Sequence, residues 1–132
     1  MKVFLAALIV TLVSTICHAE LPPSAYEAKQ AAATQQLKIQ ILRVNIEPGD
    51  KADTQKVEAL ARVDQVIRTN AQIKLNDLIT IIYTVTHHPS GWAGPGEIPI
   101  LQENQSLPAY LTSIPESKNF APAAGRMSFI NF

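Results

Sequence analysis

Between Leu37 and Ile46 apolar and polar residues alternate, and the alternation breaks once, where Ile41 and Leu42 stand side by side. Period two places Leu37, Ile39 and Ile41 on one face of a strand and Lys38 and Gln40 on the other. After the doubled position the pattern resumes as Leu42, Val44 and Ile46. One extra residue inside a regular alternation is how a β-bulge reads in sequence, and a bulge bends the strand that carries it. A sharply bent first strand is therefore expected, closed by a turn at Pro48-Gly49-Asp50.

Upstream, Ser24-Ala25-Tyr26-Glu27 follows Pro22-Pro23 and matches a capping box, with Ser24 over the Glu27 amide and Glu27 reaching back. The alanine-rich stretch that follows predicts a short helix over residues 24–36, with Tyr26, Ala33 and Leu37 as a thin apolar side. Residues 57–69 suit either period. Val57, Ala59, Ala61 and Val63 alternate with polar or larger neighbours, while Leu60, Asp64 and Ile67 also fit a helix; a strand is chosen because its neighbours need a partner across a short turn. Asn70 marks the next turn, extended by residues 72–76. Residues 78–86 read as a buried strand, with Ile79, Ile81, Tyr83 and Val85 on one face and Leu78 and Ile82 on the other. Shorter strands are expected at residues 98–102 and 109–114 and at the end of the chain, residues 127–132, with irregular stretches at 86–97 and 115–125.

The first nineteen residues form a separate unit. Lys2 gives a basic start, residues 3–13 an apolar core, and Cys17-His18-Ala19 a small-x-small site, the pattern of a secretory signal peptide cleaved between Ala19 and Glu20. Ser14, Thr15 and His18 interrupt the run, which falls short of the ~20 apolar residues of a membrane span. Ile16 before Cys17 is too bulky for a lipoprotein site. Removing 19 of 132 residues leaves 113, one domain (residues 20–132), with ten basic and eleven acidic side chains and no cysteine. That balance argues against nucleic acid as a partner, which demands a basic surface. The missing cysteine excludes disulfides, thiolate metal sites and a cysteine nucleophile in the exported form.

A bent first strand, a long second one, a third ending in Ile82-Tyr83-Thr84, a loop and a short Leu111-centred strand together resemble the OB-type barrel of netrin-like domains, which include the tissue inhibitors of metalloproteinases. The resemblance spans about residues 37–114. It implies a mainly β (α+β) fold: a small, five-stranded, OB-like antiparallel barrel over residues 37–132, closed or nearly closed, with the N-terminal helix packed on it. Those inhibitors place an N-terminal cysteine on the protease zinc and use disulfides, whereas the exported form here starts at Glu20 and lacks cysteine. No inhibitory residue carries over.

The longest Gly/Pro-rich stretch, residues 86–97, holds the candidate site. His87-His88 is the obvious metal candidate by residue type, but adjacent side chains at a strand end point to opposite sides, so a solvated pair is expected and no metal or other cofactor is assigned. Trp92, the sole tryptophan, is either a recognition anchor or a lid folded over one barrel end, and Pro89, Pro95 and Pro99 would stiffen the loop for the second role. Gly94-Pro95-Gly96 lacks the lysine and context of a phosphate loop. No Gly-x-Ser-x-Gly elbow or His-Glu-x-x-His helix is present, so no catalytic residue is assigned. Phe132 ends the chain as in outer-membrane barrels, yet too few segments reach the ~10 residues such strands need, and no integral membrane insertion is expected. Asn104-Gln105-Ser106 fits a glycosylation acceptor.

The expectation is a secreted or periplasmic, non-enzymatic binding protein whose partner is a protein or small ligand of the envelope or extracellular space. Trp92 would anchor it, flanked by His87, His88 and Glu97. Two alternatives from other classes are a small metal-dependent or hydrolase-like enzyme using His87 and His88, and a structural envelope component associating through sheet edges.

Overall fold

The computed structural model describes residues 20–131; the expected signal peptide, with Ala19, lies outside them. Within them the order is α1 (Pro23–Ala32), β1 (Gln35–Pro48), β2 (Thr54–Arg68), β3 (Leu78–Thr86), β4 (Ser106–Ser113), β5 (Phe120–Pro122) and a 3-10 turn (Gly125–Met127). The strands close into a barrel in the order β1-β2-β3-β5-β4. All pairings are antiparallel except β3 with β5, which is parallel and rests on the single pair Ile81 and Phe120.

The expected bulge is present: Ile41 faces Ala61 and Arg43 faces Leu60, which leaves Leu42 unmatched. With it Val44 stands opposite the fully buried Ala59 and packs partly buried against the core, while Ile46, opposite Val57 nearer the end of the hairpin, stays 47% exposed. Two further bulges, at Asp64 and Ile67 of β2, had no signature in the alternation. Three bulges in one hairpin supply the coiling that closing a five-stranded sheet requires.

The segment expected at residues 57–69 is strand up to Arg68, within the longer β2. Val57, Ala59, Ala61 and Val63 are fully buried, and so are Leu37, Ile39, Ile41, Ile81 and Leu111 or nearly so. Small residues sit where two larger ones converge: Ala59 stands between Val44 and Ile81, and Ala61 between Ile41 and Ile79. That alternation of small and large side chains suits the narrow interior of a small barrel.

At the β1–β2 turn the Gly49 amide donates to the Thr54 carbonyl (2.9 Å), and a Cβ on Gly49 would lie 2.1 Å from Thr54 Oγ1. Thr54 Oγ1 itself donates to the Lys51 carbonyl at 2.7 Å. Gly49→Ala is expected to lower stability by about 1–3 kcal/mol through this clash, read from the urea midpoint. An unchanged midpoint would show that Thr54 turns aside without cost.

Four expectations need correction. The helix runs over Pro23–Ala32 rather than residues 24–36, and Ser24 does not cap it: the cap position is Pro22, with no side-chain cap bond. Pro23 at the first helical position has its φ preset for the helix and lacks an amide that would have no intrahelical partner there, so the helix starts one residue early. Its C-terminal end is closed by Arg68, which donates from Nη2 to Gln30 O and from Nε to Ala33 O, both at 2.9 Å. The second correction is at residues 98–102, which form no strand. Pro99 has no amide to give, its carbonyl accepts from the Tyr83 hydroxyl (2.8 Å), and the Leu101 amide donates to that same hydroxyl (3.1 Å).

Third, residues 127–131, the described part of the expected final strand, form no strand. Ser128 Oγ donates to Gly125 O (2.7 Å) and accepts from the Ala124 amide (2.9 Å), which winds the chain into the 3-10 turn. The last strand, Phe120–Pro122, falls instead in the stretch expected to be irregular. Fourth, Trp92 is not a lid. It is 48% exposed, whereas Leu101 is buried in the core with Ile98 and Ile100 partly buried against it.

Candidate functional site

Strand β3 delivers the chain to the candidate loop. The ladder with β2 continues one residue past Thr86, since the His87 amide donates to the Asp53 carbonyl at 2.7 Å. His87 is thereby fixed at the root of the loop, with Nε2 2.7 Å from Gln55 Oε1 and Nδ1 3.3 Å from Glu97 Oε2. The other carboxylate oxygen of Glu97 accepts from the His88 amide at 2.9 Å. One carboxylate thus ties both histidines across the neck of the loop.

Above this neck the His88 and Trp92 rings stack, with centroids 4.3 Å apart and planes 11° from parallel. The Trp92 amide donates to Pro89 O (3.2 Å) and the indole Nε1 to Pro95 O (3.1 Å). Gly94 allows the indole to lie down on the loop, because a Cβ there would come within 2.3 Å of Cζ2. An exposed tryptophan is usually free to rotate, but this one is fixed by a stack, a hydrogen bond and a bare backbone surface. The loop therefore offers an aromatic plate with its rotamer entropy already lost.

A second cluster braces the far side. Gly96 donates its amide to Glu20 Oε2 at 2.7 Å, and the Tyr26 hydroxyl donates to Glu20 Oε1. Arg126 Nε lies 3.2 Å from that same Oε1, without the alignment of a hydrogen bond, and its guanidinium sits 5.0 Å above the Tyr26 ring. The Tyr26 bond leads the contacts that hold the Glu20 carboxyl below its ordinary value of 4.5. Burial and the bond to Glu20 push the Tyr26 hydroxyl up.

All four expected binding residues, Trp92, His87, His88 and Glu97, meet in this one loop. Gln55 was missed, since it lies 32 residues from His87 and reaches it only through the β2–β3 register. The cluster of Glu20, Tyr26 and Arg126 was missed for the same reason. Among the described residues no three His, Cys, Asp or Glu side chains gather as a metal site would require, and no helix is long and apolar enough to cross a membrane. Asn104 of the glycosylation tripeptide is exposed, in a left-handed turn with φ 67°. A larger groove, about 650 Å³ and lined by Glu27, Gln30, Gln36, Arg68 and Tyr110 among others, lies where α1 meets β1. Most of its polar side chains are engaged in holding the fold: Gln36 donates to the Tyr110 hydroxyl, which donates to Asn131, Gln30 donates to Met127 O and Ile130 O, and Arg68 to the end of α1. That groove is a structural seam.

The His88 amide is the main influence holding the Glu97 carboxyl below its ordinary value of 4.5, with His87 adding to it. Because the folded value is depressed, the tie across the neck is complete above pH 4.5 and is lost as pH falls through the lower folded value. Acid is therefore expected to release the loop with a midpoint below 4.5, read as a change in Trp92 emission. The change should vanish in Glu97→Gln and persist in Glu20→Gln; a midpoint at 4.5 or above would contradict the tie.

Comparison with protein-family models, with curated proteins and with solved structures found no match to this chain.

Proposed function

We propose that this chain is a small exported binding protein, without catalysis of its own, that engages a protein or small ligand of the envelope or extracellular space through the loop of residues 86–97. The observation that carries the reading is Trp92: large, 48% exposed, and held flat against His88 by the loop's own bonds. Ordering an aromatic in advance lowers the entropy cost of burying it against a partner, which is how anchors at interfaces gain most of their effect. His87, His88 and Glu97 add directional polar groups around that plate. Export rests on the signal pattern of residues 1–19 and is part of the same proposal.

Trp92 is the sole tryptophan, so its emission reports on this loop alone. Fractions of an envelope extract added to the purified protein are expected to include one that shifts the emission to shorter wavelength in a saturable way. If no fraction shifts it, the loop is not the binding face.

A further inference from the structure

β3 has one edge that the barrel does not use. In an antiparallel strand, residues whose amide and carbonyl face one neighbour alternate with residues that face the other. The His87 amide bonds to Asp53, on the β2 side, so Val85, Tyr83 and Ile81 also face β2, while Thr80, Ile82, Thr84 and Thr86 face away from it. On that far side β5 contributes one pair, Phe120 with Ile81, which engages the groups of the flanking Thr80 and Ile82. Beyond it nothing follows: no backbone or side chain of the described residues bonds to the amides or carbonyls of Thr84 and Thr86.

These groups line a groove of about 210 Å³ bounded by Thr84, Thr86, His88, Gly96, Glu97 and Ile98. The open edge at the other side of the same sheet differs. β1 leaves β4 after Gln40, and its edge then carries the Leu42 bulge, the charges of Arg43 and Glu47, and Pro48. Bulges, charges and proline are the means by which strand edges are protected from further pairing. The β3 edge at Thr84 and Thr86 has none of them, and it runs toward the stacked rings of His88 and Trp92.

We infer that an extended peptide segment of a partner protein pairs main chain to main chain with Thr84 and Thr86, in line with β5, and sets a side chain on the Trp92 plate. The occupant is specified by what the edge lacks: alternating acceptors and donors at strand spacing, which only an extended polypeptide supplies. The inference rests on the proposed binding face and names the chemistry of its partner.

The test uses a displayed library of random linear peptides selected on the purified protein. Thr84→Pro deletes one outward amide and leaves every bond to β2 in place, a substitution that strand edges tolerate. A selected peptide is expected to bind it about tenfold more weakly or worse, to bind Ile46→Pro on the β1 edge unchanged, and to lose affinity when its alternate amides are N-methylated. Binding should also slow hydrogen exchange at Thr84 and Thr86. Should Thr84→Pro fail to fold, the methylated peptides and the exchange rates on the unaltered protein decide. Binding lost in Trp92→Ala but retained in Thr84→Pro and by methylated peptides would overturn the strand pairing and leave the binding face standing. Failure to select any peptide, or self-association through this edge instead, would overturn the inference as well.

Discussion

Ile81→Asp is expected to abolish the folded state. Ile81 is fully buried, lies opposite Ala59 of β2, and makes the one pair that joins β3 to β5 and closes the barrel. An aspartate there would bury a carboxylate with no cation and no donor in reach, at a cost of several kcal/mol. A domain of this size has about 5–15 kcal/mol in total, so this one change removes most or all of it. Circular dichroism should show the loss of the cooperative thermal transition, while Ile81→Val, which keeps shape and polarity, should cost only about 0.5–1.5 kcal/mol. A cooperative transition retained in Ile81→Asp would mean that β3 does not face the core as described.

Trp92→Ala should do the opposite, abolishing binding while leaving the fold intact. The side chain contributes one hydrogen bond and one stack, both within its own loop, and belongs to no part of the core cluster. Its removal is expected to change stability by less than about 1 kcal/mol. Loss of a buried aromatic anchor costs about 2 kcal/mol or more in binding, at least roughly thirtyfold in affinity. A melting curve beside a binding curve separates the two effects. If stability fell by several kcal/mol, Trp92 would be a structural element and not an anchor.

The parts of this molecule that were legible in sequence are those set by nearest neighbours along the chain. Ile79, Ile81, Tyr83 and Val85 alternate without interruption and all face the core. The Leu42 bulge was readable because both halves of β1 alternate cleanly around it. The bulges at Asp64 and Ile67 were not, since there the pattern drifts toward helical spacing and only pairing with Gln36–Ile39 reveals the extra residues. β5 is three residues long and includes Pro122, too short for any period to show. Residues 98–102 have a strand's composition, yet the Tyr83 hydroxyl takes the groups a ladder would use.

The site divides along the same line. His87, His88, Trp92 and Glu97 fall within eleven consecutive residues, so a local reading could assemble them. What holds them in place comes from elsewhere: Gln55 from β2, and Glu20, which reaches Gly96 across 76 positions of the chain. Sequence proximity also suggested that Pro89, Pro95 and Pro99 would fold Trp92 inward as a lid. Instead Pro89 and Pro95 present carbonyls to its amide and indole and keep it outside.

Whether the exposed Trp92 loop is a binding face can be read by cross-linking in place. The tagged chain is expressed through the export pathway, cross-linked in the intact envelope, purified, and compared with Trp92→Ala handled identically. A specific partner is expected to be recovered with the parent and to be missing from the variant, at equal yields of folded protein. The same set of partners from both would contradict it.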